Sequence, residues 1–485
     1  MAGIGFRLRS LGDQENLLMP VASIGHSVII AAGPWLFTIT AIALISAFAA
    51  GLAPAHVTEG FRIVVIYAFA ISLVVATPIV LVTMRLVGDV LYARDVDRIA
   101  PLLAASLLVS TGLSVAAGLL CYGVVFRMSG ATVVAATSCS AIVSQIWVTL
   151  AFCGAVRDYR GITISFLAGL AVSVAATLAV AGGQDWNAMI WMFNSGLLIV
   201  LAFLCGRVLL TFPSSKSGLS AFADLVIGIR LHAPLAVAGL AGALGVWIDK
   251  VVMWHSPERI MHETGLVHAP LYDSAMFTAY LTIVPALAMF VTHVETSFFR
   301  RYQNYFAAVR NHATLKQLDD IASSLKRDTF EQIGRLIMIQ SALCTLVVIA
   351  APTIVATAGL HYEQIGILRL GALGVLFQLI FFAATSLILF FDRQRSFMAL
   401  QALFLLLQGV FAIASIYLGP AYYGLGYLLA NLVCGVVALA VLERTLEDLT
   451  YITFVLSNRA KSVAQLYRGR LEGLFGKQNR IAELE

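Results

Sequence analysis

Between Met19 and Ala50 the chain carries no Asp, Glu, Lys or Arg, and from Gly161 to Gly183 it again carries none. A run of about 20 apolar residues matches the roughly 30 Å hydrocarbon core of a bilayer when wound as a helix. Uncharged stretches of this length constrain the fold more than any other feature. A backbone in lipid has to satisfy its own polar groups, so such segments become membrane-spanning helices.

Composition extends the conclusion to the whole chain. Hydrophobic residues make up 60% and charged residues 12% of the 485, and the mean hydropathy is +0.91. A soluble domain carries roughly 25% charged residues, so half that supply cannot cover a water-facing surface. The six cysteines all lie in apolar stretches and form no C-x-x-C pair. They read as small core residues rather than a disulfide framework or zinc site.

Apolar segments separated by charged or Pro/Gly-rich breaks predict spans near 21–50, 62–84, 100–126, 131–156, 161–182, 188–211, 232–254, 271–292, 333–358, 365–390, 396–418 and 421–442. The expected fold is therefore all-α and integral to the membrane, with about twelve helices in all. The N-terminal apolar run is too long for a signal peptide and reads as a retained first span. Lys and Arg collect on cytoplasmic loops. With the N-terminus inside, 26 of the 31 fall inside, four outside, and Lys250 within a span. Both termini are then cytoplasmic. The net charge of +5 is this bias spread over many loops, and it calls for no nucleic-acid partner.

The organisation expected is a cytoplasmic segment 1–20, a six-helix lobe 21–211, a cytoplasmic linker 212–231, a second lobe 232–442 and a cytoplasmic tail 443–485. Gly33-Pro34-Trp35 in span one and Gly245-Val246-Trp247 in span seven sit at similar offsets, which fits two repeated halves with a path between them. The second lobe carries a cytoplasmic amphipathic insertion, 295–332. In it Thr314 and Gln317 have capping-box spacing, and Leu315, Leu318, Ile321 and Leu325 recur at helical intervals. It reads as a surface helix lying on the membrane. The tail places Leu446, Leu449, Ile452 and Val455 on one face. Either segment suits docking of a cytoplasmic partner or a simply solvated amphipathic face.

No G-x-x-x-x-G-K-[ST] run exists, which excludes a P-loop for ATP. Asp95-Val96-Asp97 imitates a sugar-transferase D-x-D motif, but a loop of that length has no walls for a nucleotide-sugar pocket. The sharpest feature is Asp249-Lys250. Charges at bilayer depth cost about 2.5–3.5 kcal/mol on insertion scales and persist mainly on substrate or ion paths. Successive helical residues point about 100° apart, so the two need not pair. Asp249 is expected to face a central cavity while Lys250 snorkels outward, or both anchor the outer end of the span beside Trp247 and Trp254. His26, Asn194, Gln340, Gln378, Gln408 and Asn431 lie within spans, either bonding between helices or lining a hydrated cavity for sugar hydroxyls. Trp35, Trp247, Tyr272 and Tyr280 offer faces for sugar rings or form interfacial belts. Pro34, Pro78 and Pro285 are expected to kink their spans. The longest outer loop, 255–270, holds three histidines and two glutamates, which suit a metal or ordinary surface polarity.

The opening Met-Ala-Gly-Ile-Gly-Phe-Arg-Leu-Arg, Gly33-Pro34-Trp35, Trp247-Ile-Asp-Lys250, the block Ala269 to Pro285, His293-Val-Glu-Thr296 and Ala313-Thr-Leu-Lys together resemble the PelG family of Pel exopolysaccharide transporters. The chain departs from that pattern at Arg7 and at Leu11-Gly-Asp-Gln-Glu. The resemblance implies a flippase-superfamily (MATE/MOP-like) fold with two six-helix lobes around a central cavity. It implies passage of a cationic, amino-sugar-rich Pel polymer across a bacterial inner membrane for biofilm matrix, with no catalytic residue, metal or cofactor. It also implies a PelF-like cytoplasmic glycosyltransferase and PelD-like and PelE-like membrane proteins as partners. A cationic chain calls for carboxylates and aromatic faces along its path. The path residues expected are Asp249, Lys250, Trp247, Trp35, Pro34, His26, Tyr272, Asp273, Tyr280 and Glu295. Competing readings keep the fold but change the cargo to a lipid-linked oligosaccharide or a drug, make the chain a scaffold for the glycosyltransferase, or make it a membrane enzyme.

Overall fold

The computed structural model describes residues 37–156, 158–213 and 218–456. Apart from one two-stranded hairpin, the ordered elements are helices. Helix α1 runs Phe37–Ala49 and α2 Ala55–Ala93. Helix α3, Ile99–Gly118, continues through a wider π-turn, Leu119–Val125. Then come α4 (Gly130–Val156), α5 (Tyr159–Ala181) and α6 (Trp186–Thr211). Helix α7 (Gly218–Leu231) links the halves and α8 (Ala233–Met253) opens the second. The hairpin β1–β2 (Ile260–Met261, Val267–His268) follows, then α9 (Pro270–Leu281), α10 (Val284–His293) and α11 (Phe299–Arg310). The last are α12 (Leu315–Thr357), α13 (Gln364–Phe390), α14 (Gln394–Ile416) and α15 (Tyr423–Glu447).

Ten helices among the described residues are long and apolar enough to cross a membrane, or eleven when the bent run from Pro270 to Arg310 counts as one. Each predicted span from the second to the last falls on one of these. The first is described only from Phe37 onward.

Small residues set the close approaches. A Cβ on Gly196 would lie 2.5 Å from Ser173 N and overlap Gly169 O, so α5 and α6 meet backbone to backbone. Ser173 Oγ donates to Phe193 O across the same seam, 2.8 Å. Lipid supplies no hydrophobic drive between helices, so van der Waals contact at small residues does the holding. Between the halves, α2 lies along α8. A Cβ on Gly239 would sit 3.1 Å from Pro78 Cα, so the proline of α2 rests on a glycine of α8. Pro78 leaves α2 a single helix.

Two expectations change. The span 271–292 breaks into α9 and α10, bent by 42°, with Pro285 in the first turn of α10. Proline lacks the N–H that would have continued the ladder and suits the opening turn of a new helix. The part of the insertion from Leu315 onward does not form a helix of its own. The capping box exists, with Gln317 N–H donating to Thr314 Oγ1 (3.4 Å) and Thr314 N–H to Gln317 Oε1 (3.0 Å), but the helix it starts runs 43 residues without a break. At 1.5 Å per residue that is about 65 Å, roughly twice a bilayer's hydrocarbon thickness, because no breaker lies between the amphipathic stretch and the span. Its buried stripe is Leu318, Ala322, Leu325 and Thr329, while Leu315 is exposed. Lys326 Nζ donates to Glu443 (3.0 Å) and Glu447 (2.6 Å) of α15, and Thr450 Oγ1 donates to Asp319 (2.9 Å). Insertion and early tail therefore brace each other, with Leu446 and Leu449 buried.

Candidate functional site

The charged pair of α8 lies where α8 and α9 meet. Asp249 is 1% exposed. Tyr272 of α9 donates its hydroxyl to Asp249 Oδ2 at 2.8 Å. Lys250 Nζ donates to both carboxylate oxygens, 3.1 and 3.2 Å, and to Val246 O at 3.1 Å. It also reaches Tyr280 OH at 3.0 Å. The ammonium lies 4.7 Å from the centroid of the Tyr280 ring and 5.7 Å from that of Trp247, within cation–π range. The two charges thus pair with each other, although their places on the helix did not require it. Their Cβ directions do differ, but the four-carbon lysine stem folds back. A carboxylate removed from water is costly unless a counter-charge and hydrogen bonds replace the lost hydration. Asp249 is sealed in this conformation rather than facing an open cavity.

A second layer lies closer to the hairpin. Asp273 Oδ2 accepts from Trp254 Nε1 (3.0 Å) and from Ala269 N–H (3.1 Å), which fixes the base of the hairpin to the start of α9. Trp254 stacks on Tyr67 of α2, with centroids 4.4 Å apart and planes at 21°. Tyr280 meets Tyr427 of α15 edge-on at 5.5 Å, and Tyr427 donates to Gln378 Oε1 of α13. Two buried polar atoms have no partner here: Trp247 Nε1 and Asp273 Oδ1. They are two of thirteen such atoms among the described residues. Here they provide one donor and one acceptor beside the aromatic faces.

Of the expected path residues, Asp249, Lys250, Trp247, Tyr272, Asp273 and Tyr280 come together on α8 and α9. His26, Pro34 and Trp35 lie outside the described residues, as does the side chain of Glu295, whose backbone belongs to the π-turn Val294–Phe298. The polar residues within spans do not gather around one cavity. Asn194 Nδ2 donates to Ala135 O (3.2 Å) in the first half. Gln340 Nε2 donates to Thr282 Oγ1 (3.3 Å) and Asn431 Nδ2 to Tyr427 O (2.9 Å) in the second. Each bonds through its amide N–H to a neighbouring helix or to its own, while the carbonyl oxygens of all three are buried without a partner. A small apolar pocket around Phe69, Trp147 and Leu197 lies inside the first half, away from every charge discussed above. Tyr67 and Tyr427 were not singled out from the sequence. The available signal was a hydroxyl in the middle of an apolar span, which has to find a partner.

The histidines of the outer loop make their contacts within the protein. His262 donates from Nε2 to His56 O (2.8 Å) and accepts Thr264 N–H at Nδ1 (3.2 Å), so both ring nitrogens are used. No cluster of metal-ligating side chains occurs among the described residues. Asp95 of the D-x-D sequence pairs with Arg98 at 2.7 Å.

A bundle of apolar helices in two halves, with a buried ion pair and aromatic faces near their junction, has the fold of MOP superfamily transporters. The chain superposes on a MATE transporter crystallised with MaD5 at a TM-score of 0.60 and 15% identity, covering 88% of this chain and 96% of that one. It matches an outward-facing multidrug resistance MATE transporter at 0.58 and 16% (88% and 96% covered). A MOP superfamily transporter from Pyrococcus furiosus matches at 0.60 and 16% (87% and 96% covered). No curated protein sequence matches the chain. The family model "PelG: Putative exopolysaccharide Exporter (EPS-E)" matches residues 1–454, and the chain belongs to that family. It is a multi-pass membrane transporter and not an enzyme.

Proposed function

We propose that the chain carries a Pel-type cationic exopolysaccharide from the cytoplasm to the periplasm across a bacterial inner membrane, along the junction of its two halves. The observation that supports this most directly is the Asp249–Lys250 pair with Trp247, Tyr272 and Tyr280 around it. Carboxylates and aromatic faces attract amino-sugar rings, and the unpartnered Trp247 Nε1 and Asp273 Oδ1 add a hydrogen-bond donor and acceptor. His26, Pro34, Trp35 and Glu295 belong to the same proposed path. The Lys and Arg distribution supports a cytoplasmic placement of both termini and of the α11–α12 corner. The hairpin then faces the periplasm. Family membership supports delivery of the polymer by a PelF-like glycosyltransferase, with PelD-like and PelE-like membrane proteins alongside.

The test is Asp249→Asn in cells that secrete the polymer. Secreted polymer should fall at least fivefold per molecule of folded protein in the membrane, and by as much in Asp249→Asn/Lys250→Met, which leaves no unpaired charge. Normal secretion would remove Asp249 from the path. Reconstituted vesicles offered polymer, lipid-linked oligosaccharide and cationic drug separate the cargo readings.

A further inference from the structure

We propose that the hairpin Ile260–His268 is a clasp between the two halves, closed in this structure, which has to release for cargo to pass its face. The proposal rests on the exporter reading and adds a moving part to it.

The hairpin belongs to the second half by connectivity, yet most of its contacts are with the first. His262 donates to His56 O at the start of α2 (2.8 Å), and its ring meets Trp186 of α6 edge-on at 6.0 Å. A Cβ on Gly60 of α2 would lie 2.8 Å from the His262 ring, so the imidazole sits directly on that helix. Tyr67 OH of α2 donates to Val267 O at 2.6 Å, and His268 Nε2 stands 3.3 Å from Glu59 Oε1. At the tip, Gly265 has φ +87, and a Cβ there would lie 3.1 Å from Phe126 O. Only glycine adopts that turn while lying so close to the end of α3. On the other side Tyr423 of α15 donates to Glu258. The loop therefore spans from α2, α3 and α6 to α15, over the Asp273–Trp254–Tyr67 layer.

The nature of these contacts separates a clasp from a permanent brace. The hairpin has two residue pairs, Ile260↔His268 and Met261↔Val267. A ribbon that short is not stable by itself. Ile260 and Met261 are turned outward, 50% and 71% exposed, so the strand adds little apolar burial. Apart from Leu266, which is fully buried at the edge of the core with Val267 packed beside it, what holds it is a set of single hydrogen bonds and ring edges, each replaceable by water once the face opens. Farther along the same pair of helices the contact is different. Pro78 rests on Gly239, where a methyl group would press on its Cα and N at 3.1 Å. Pro78 lies 11 residues beyond Tyr67, about 16 Å along the helix. Mostly polar, individually weak ties and one buried leucine at one end, and a tight proline–glycine contact at the other, make a gate with its pivot. Trp254 joins the two layers: it stacks on Tyr67, which holds the hairpin, and it donates to Asp273, beside the buried ion pair. Release of the hairpin would uncover those aromatic faces from the hairpin side.

The experiment uses the full chain with Glu59→Cys and His268→Cys. The six native cysteines lie within the spans and are replaced by Ala or Ser beforehand. Cells secreting polymer are treated with a short bis-maleimide, which ties α2 to the hairpin, or with N-ethylmaleimide, which modifies the same thiols without joining them. The expected result is at least a tenfold loss of export with the bis-maleimide and less than a twofold change with N-ethylmaleimide. Continued export by fully cross-linked protein would overturn the clasp. It would leave the exporter reading standing, because the untreated variant reports on that reading separately. A second measurement places spin labels on the same two cysteines in vesicles. A separated population that grows when polymer is added supports the clasp, and a single short distance under all conditions refutes it.

Discussion

Removing the lysine of the buried pair isolates the energetics on which the site depends. In Lys250→Ala, Asp249 keeps only the Tyr272 hydroxyl at 2.8 Å and loses a partner that touched both its oxygens. At 1% exposure the carboxylate cannot recruit bulk water in compensation. Breaking a buried pair from one side costs about 3–5 kcal/mol. Tyr272→Phe removes a single hydrogen bond to a charged acceptor and should cost about 1.5–3 kcal/mol. The double variant Asp249→Asn/Lys250→Met deletes both charges while keeping nearly the same volume. It should recover most of the single-variant loss, because no uncompensated charge remains. The assay is unfolding of the purified protein in detergent, following tryptophan fluorescence, for all variants at one pH. The expected order is wild type near the double variant, then Tyr272→Phe, then Lys250→Ala. A Lys250→Ala protein as stable as wild type would refute the reasoning, since it would mean that water already reaches Asp249. Export should be lost in the double variant despite its stability, which separates a transport role from a structural one.

Gly196→Ala should strongly reduce the folded protein recovered from membranes, by about 1–3 kcal/mol or more for an overpacked site, since its Cβ would meet the backbone of α5. Gly206→Ala in the same helix has nothing within 4 Å and should be neutral or slightly stabilising; heated samples run on size-exclusion chromatography compare the two. His268, outside the spans, is held below the ordinary imidazole value of 6.5 chiefly by burial, with Glu59 pulling it up and Arg62 and His262 pulling it down. The closed hairpin therefore prefers neutral His268, and the released or unfolded state takes up a proton first. Stability should fall as pH drops below about 6.5 and level off below the depressed value. His268→Gln should flatten that slope in a melting series from pH 7.5 to 5.

Much of the architecture was readable before any coordinates because lipid imposes local rules. Each span has to be apolar over its own length and bond its own backbone, so spans two to twelve could be located from the chain alone. The capping box at Thr314 and the family-like blocks at 247–250 and 269–285 were visible for the same reason, being short-range patterns. The continuation of α12 through 43 residues was not, because an amphipathic stretch and an apolar stretch differ in what surrounds them and not in backbone preference.

The pairing of Asp249 with Lys250 was decided only in three dimensions. Helical periodicity sets where a side chain begins, but a flexible lysine goes where burial leaves a carboxylate without water. The hairpin's reach from α15 to α2 is of the same kind. Its residues read as a polar outer loop, and their meaning comes from partners about 200 positions away in the chain, such as His56 for His262. Sequence alone determined that this chain lives in a bilayer as a bundle of helices, through hydrophobicity acting residue by residue, and its family-like blocks pointed to transport. Tertiary structure decided which polar groups meet, because long-range hydrogen bonds and charge pairs depend on how the halves pack, a relation no local pattern encodes.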